Sequence, residues 1–138
     1  MKLSGDYATQ LKEVVKYFLM EIFRRQFSVS NINLNFIAVV FTKSTYFWVG
    51  DNNYTCKDLH CSFPLKNIKD GDCSGTTLLG DLDSISSEIA NTLARIYKRG
   101  IFMSVNIEEL DSSLLEEFQE KLFGLIFELF PRKKNENM

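Results

Sequence analysis

Three stretches of the chain carry residue types able to do chemistry. His60 and Cys61 are adjacent, and an imidazole beside a thiol is the pairing that lowers a cysteine's pKa and makes it nucleophilic. On an extended segment neighbouring side chains point to opposite faces, so these two could not hydrogen-bond each other there. His60 is the only histidine, so cysteine–histidine, serine–histidine and multi-histidine metal chemistry would all have to pass through it. The plainer reading is a strand-surface imidazole beside a free thiol. Asp70-Gly71-Asp72-Cys73-Ser74-Gly75-Thr76, with Asp81 in twelfth place, has the oxygen spacing of a calcium loop. Its flanks read extended where a calcium loop needs an entering helix, and Asp81 stands where a longer glutamate is usual, so an acidic surface loop accounts for it. Gly80-Asp81-Leu82-Asp83 sets two carboxylates ahead of a helix, where they could hold a metal or work as an acid/base pair. Helix capping explains them without chemistry.

The rest of the composition offers no cofactor a handle. There is no phosphate-cradling loop and no GxGxxG. Cys56, Cys61 and Cys73 are odd in number and contain no CxxC pair, which suggests free thiols and not a disulfide or zinc framework. Sixteen basic against 18 acidic residues give a net charge of −2, too balanced for a chain that lives on nucleic acid. Met1 to Asp6 lacks the apolar core of a signal peptide, and no apolar run approaches the ~20 residues of a membrane span. The expectation is a soluble, intracellular, non-catalytic protein in the cytoplasm, with the nucleus as a second compartment, binding neither nucleic acid nor membrane. At 138 residues, 45% of them hydrophobic and only two of them proline, it should form one α+β domain over residues 1–138.

The elements follow from periodicity. Leu11, Val14, Val15, Phe18, Leu19, Ile22 and Phe23 recur at helical spacing and predict an amphipathic helix over residues 6–25. Its stripe must dock on the chain's own sheet or on a partner. Leu34–Thr42 and Thr45–Val49 are β-branched and aromatic runs split by Lys43-Ser44, the pattern of a hairpin. Tyr54–Lys66 is weakly extended, and Pro64 points it to a sheet edge or a loop. Asn67–Gly75 reads as a loop and Thr76–Leu79 as a short extended piece. Asp83 or Ser84 can cap a helix carrying Ile85, Ile89, Leu93, Ile96 and Tyr97, with Gly100 just past its end. Ile101–Ile107 alternates, with Ile101, Met103, Val105 and Ile107 on the more buried face. Ser113 and Glu116 have capping-box spacing before a last helix that Pro131 stops, and residues 132–138 are expected to be a solvated tail.

Apolar residues are in excess for so small a chain. Twelve phenylalanines, five tyrosines and Trp48, with both alternating sets of Phe36–Phe41 apolar, predict a sheet covered on both faces. Either the first helix or a protein partner supplies the second cover.

Particular strings resemble a known family. Thr45-Tyr46-Phe47-Trp48-Val49-Gly50, Gly75-Thr76-Thr77-Leu78-Leu79-Gly80-Asp81, Ile89-Ala90-Asn91-Thr92-Leu93-Ala94-Arg95, Phe102-Met103-Ser104-Val105-Asn106 and Phe130-Pro131 come in the order and spacing of the proteasome assembly chaperone 4 family. The similarity covers about Phe27 to Arg132, leaving the first helix without a counterpart and Asp51–Ser74 poorly matched. The resemblance implies an antiparallel β-sheet packed against α-helices, no enzyme activity and no cofactor. It also implies a heterodimer with a proteasome assembly chaperone 3-like protein, holding proteasome alpha subunits, notably the fifth, during alpha-ring assembly. No ligand residues carry over. For the pair interface the apolar strands suggest Val39, Phe41, Phe47 and Phe102. The alternatives are a small trafficking or signalling adaptor on a similar helix–sheet–helix layout, and a thiol enzyme using Cys61 or Cys73.

Overall fold

The computed structural model describes Gln10, residues 21–66 and residues 72–132. Their order is β1 (Glu21–Val29), β2 (Ile32–Val40), β3 (Ser44–Gly50), β4 (Leu59–Pro64), β5 (Cys73–Leu79), α1 (Ile85–Tyr97), β6 (Gly100–Asn106), a 3₁₀ turn (Ser112–Leu114) and α2 (Leu115–Leu129). The strands build one six-stranded sheet in the order β1-β2-β3-β6-β4-β5. Every neighbouring pair is antiparallel except β3 and β6. The α+β class therefore holds, with a mixed sheet. The parallel pair arises because β4, β5 and α1 all intervene between β3 and β6, and that crossover brings the chain back in the same direction.

Several local expectations need correction. Glu21–Arg25 is not the end of a helix: these residues open β1, which pairs with β2 along its whole length, from Glu21 opposite Val40 to Val29 opposite Ile32. The period-two set Phe23, Phe27 and Val29 faces inward, and full backbone pairing with β2 outweighs the helical spacing of Ile22 and Phe23. The remainder of that expected helix, apart from Gln10, lies outside the described residues, as do residues 67–71 and 133–138. β4 is no edge strand, since it lies between β6 and β5. Pro64 is tolerated as its last residue. Cys73–Leu79 is a strand paired with β4, so the back half of the supposed calcium loop is extended ladder. Ser84 caps α1 by accepting from the Ser86 N–H, while Lys98, at φ 55°, takes the left-handed cap position and leaves Gly100 to begin β6. Before α2 the cap is Asp111, which accepts from the Ser113 N–H, in place of a Ser113–Glu116 box.

Both helices pack on one face of the sheet. Leu34, Phe36, Ala38, Phe47, Val49, Ile101 and Met103 meet Ile89, Leu93 and Ala94 of α1 and Phe118, Leu122 and Ile126 of α2 in a single buried cluster. Its aromatic spine runs from Phe36 to Phe47 (5.9 Å between centroids), then to Phe130 (6.0 Å) and Phe23 (5.1 Å). Near-perpendicular rings at the last two contacts suit the ring quadrupoles. The Tyr97 hydroxyl donates to the Phe130 carbonyl at 2.7 Å and ties the ends of the two helices together. Burial there raises the Tyr97 pKa above that of a free phenol. At the β1–β2 turn Glu117 accepts from the Ser30 N–H and Lys121 donates to the Ser28 carbonyl, each at 2.6 Å, so α2 also grips the hairpin.

Candidate functional site

Two arrangements stand out. The first is a buried polar network built around Asp58. The Thr77 Oγ1 lies 2.8 Å from His60 Nδ1, and His60 Nε2 lies 3.1 Å from Asp58 Oδ1. β4 and β5 bring His60 opposite Thr77 in register. Hydroxyl, imidazole and carboxylate in a line are the elements of nucleophile, base and orienting acid. Burial argues against that use, because His60 is 1% and Asp58 8% exposed. The other Asp58 oxygen accepts from the Ser86 hydroxyl and from the Val105 N–H at 3.0 Å. Its backbone carbonyl accepts from Ser104. One carboxylate thus joins β4, β6 and the start of α1 at the point where the β4–β6 ladder stops. His60 is accordingly a core residue, and the expectation of a strand-surface imidazole is corrected. Cys61, one residue on, pairs with Phe102 on the opposite face, so imidazole and thiol are kept apart as extended geometry requires.

The second arrangement is the face away from the helices. Strand register sets Ile22, Val39, Tyr46, Phe102 and Cys61 side by side across five strands. Ile22 is exposed, and Val39, Tyr46, Phe102 and Cys61 are half-buried. Phe63 packs edge-on against Phe102 at 5.7 Å, and Leu78 is exposed on the neighbouring strand. At the other end of this face the loop between β3 and β4 folds back over the sheet. Trp48 Nε1 donates to the Thr55 carbonyl at 3.1 Å and the Lys57 N–H donates to Asn106 Oδ1 at 2.7 Å. Ser104 and Asn106 are therefore buried alongside Ile101 and Met103, so β6 does not show the one-sided burial its alternation suggests. Tyr46, part of this surface, has its pKa raised chiefly by burial.

Of the four residues suggested for a pair interface, Val39 and Phe102 stand on this open face, and Phe41 is half-buried in the turn after β2. Phe47 does not belong with them. It is 1% exposed in the core between Phe36 and Phe130, because it alternates with Tyr46 and Trp48 along β3. Asp81 and Asp83 are exposed beside the Ser84 cap. Among the described residues no cluster of three or more His, Cys, Asp or Glu side chains could hold a metal.

The model of the family described as proteasome assembly chaperone 4 matches residues 33–107, from β2 through β6. The chain belongs to the proteasome assembly chaperone 4 family. This is a non-enzymatic chaperone family. As a member, the chain is a proteasome assembly chaperone. No curated relative matches it. A chain in the crystal structure of a novel chaperone complex for yeast 20S proteasome assembly has the same fold, with a TM-score of 0.60 at 16% identity. The likeness covers 79% of the present chain and 93% of that one. The family match spans the whole open face except β1 and includes the loop between β3 and β4. Sequence reasoning passed over Asp58 and Thr77, whose only sequence signal is their position two residues before and seventeen after the single histidine.

Proposed function

We propose that this chaperone pairs with a related, proteasome assembly chaperone 3-like protein through its open sheet face, and that the pair holds proteasome alpha subunits, notably the fifth, while the alpha ring forms. The observation that carries the reading is the row Ile22–Val39–Tyr46–Phe102, an apolar strip on the side of the sheet opposite both described helices. Apolar, aromatic-rich centres are what protein interfaces bury, in areas of about 1,200–2,000 Å². The helices fill the other face, so pairing through the strip leaves the core intact. Val39, Phe102 and Phe41 are the residues proposed to meet the partner. Binding an alpha subunit and its neighbour would bias which subunits meet, and release would follow when a later contact competes for the same surface. We propose the cytoplasm as the place of action, with the nucleus as a second compartment.

The test is affinity purification of the tagged protein from its own cells at low and moderate salt, followed by mass spectrometry. Recovery of alpha subunits and a second small chaperone, with little mature beta subunit, supports the reading. Recovery of small GTPases or coat components without alpha subunits overturns it.

A further inference from the structure

Among the described residues the open face has one end covered and one end bare. The loop between β3 and β4 folds over the end that holds Trp48 and Asn106. At the other end the row Ile22, Val39, Tyr46, Phe102 and Cys61 crosses five strands. Ile22 is 53% exposed and the other four are half-buried. Ile37, half-buried two residues before Val39 on the same face, widens the row. Monomeric proteins leave few contiguous apolar patches of this kind open to water.

The chain enters the sheet at this same end. Glu21, the first residue of β1, pairs with Val40, and Ile22, the next, already belongs to the row. Just ahead of it in sequence, Leu11, Val14, Val15, Phe18 and Leu19 recur at helical spacing, with Gln10, Lys12, Glu13 and Lys16 on the other side. Of that stretch Gln10 is the residue described, and it is helical and exposed, as the polar side of such a stripe requires. The lengths agree as well. A helix over residues 7–20 is about 21 Å long, and the row from β1 to β4 spans four strand spacings, about 19 Å. No long linker separates stripe from row, so docking between them is intramolecular and acts at high effective concentration. The opposite face of the sheet is already filled by α1 and α2.

We propose that residues 7–20 form an amphipathic helix whose stripe lies across the Ile22–Val39–Tyr46–Phe102–Cys61 row in the unpaired chain, and that a partner pairing through this face must displace it. The cover stands on its own; its displacement rests on the pairing proposed above. A covered row lowers the fraction of chains competent to pair, and the apparent affinity falls by that fraction. The family match begins at residue 33, so the cover lies outside the residues that carry the family.

Cys61 reports on the row without any substitution. In purified full-length protein its alkylation by iodoacetamide, followed for each cysteine by mass spectrometry, should be slow beside that of Cys56, which is exposed. Val14→Glu with Phe18→Glu should speed Cys61 alkylation about tenfold. Cys73, packed against the core on the helix side, should keep its rate. Gln10→Glu with Lys16→Glu, on the polar side, should change neither. Should the stripe variant unfold, Leu11→Ser with Val15→Ser serves the same comparison. The cover is overturned if stripe variants alkylate Cys61 at the parent's rate. It is also overturned if the parent's protection disappears on about a hundredfold dilution, which would make a second copy the occupant. Stripe variants should recover the second chaperone at least as well as the parent; a loss would assign the stripe to the pair interface and overturn the displacement. A purification that recovers no second chaperone leaves the alkylation result standing, so the cover and the pairing fail separately.

Discussion

Asp58 Oδ1 lies 3.1 Å from His60 Nε2, and both side chains are buried. The pair is the centre of a network that includes Thr77, Ser86 and the Val105 N–H, with each group satisfied by another. In a low-dielectric interior such an arrangement is costly to leave half made.

Removing its hub should therefore be severe. Asp58→Ala strands the His60 Nε2, the Ser86 hydroxyl and the Val105 N–H, and should cost about 3 kcal/mol or more. Asp58→Asn keeps the shape and one acceptor, and should cost less, about 1–2 kcal/mol. Urea denaturation of both variants checks the order; equal midpoints for Asp58→Ala and the parent protein would show that the network contributes nothing.

Adjacent aromatic and aliphatic residues on the sheet should separate by face. Phe47→Ala opens a cavity between Phe36 and Phe130 and should lose about 3–5 kcal/mol of stability. Val39→Glu or Phe102→Glu, on the half-buried open face, should cost about 1 kcal/mol or less in the isolated chain while preventing recovery of the second chaperone. Thermal melts beside the purification measure both. A Val39→Glu protein that folds and still recovers that partner sinks the open-face pairing.

The end of α1 offers a stabilising change. Lys98 has φ 55° and its N–H donates to the Ala94 carbonyl at 2.9 Å, the place where a glycine carries no side-chain penalty. Lys98→Gly should raise stability by roughly 0.5–1 kcal/mol. A lower melting temperature would mean that the lysine side chain holds the helix end in a way the backbone does not reveal.

Stability should also depend on pH through Asp111. Hydrogen bonds from the Ser113 hydroxyl (2.5 Å) and then the Ser113 N–H (2.9 Å) hold its carboxyl below the usual carboxylate pKa. A carboxylate whose folded pKa is depressed contributes stability that is present above its unfolded value, near ~3.9, and is lost as pH falls through the folded value. The gap in melting temperature between the parent protein and Asp111→Ala should then be constant from about pH 5 to 7 and narrow below about pH 4. A gap that widens on acidification would contradict the cap.

Local pattern alone determined much of this protein. Alternation and β-branching marked β2, β3 and β6, helical spacing marked α1 and α2 together with the Ser84 cap of the first and the Pro131 stop of the second, and the glycine-turn and strand strings carried the family. Those features depend on residues a few positions apart, where side-chain period and backbone preference act directly. What only the tertiary structure decided depends on residues far apart in the chain. Glu21–Arg25 is strand because β2 pairs with it, β4 is interior because β6 arrives beside it from forty residues later, and Phe47 and Phe102 part company because the helices cover one face. In sequence Asp58 is one polar residue in a weakly extended stretch; it becomes a hub only when Val105, 47 positions on, comes within 3.0 Å. Hydrogen-bond satisfaction in a buried network is a property of the assembled fold, and no short window of residues contains it.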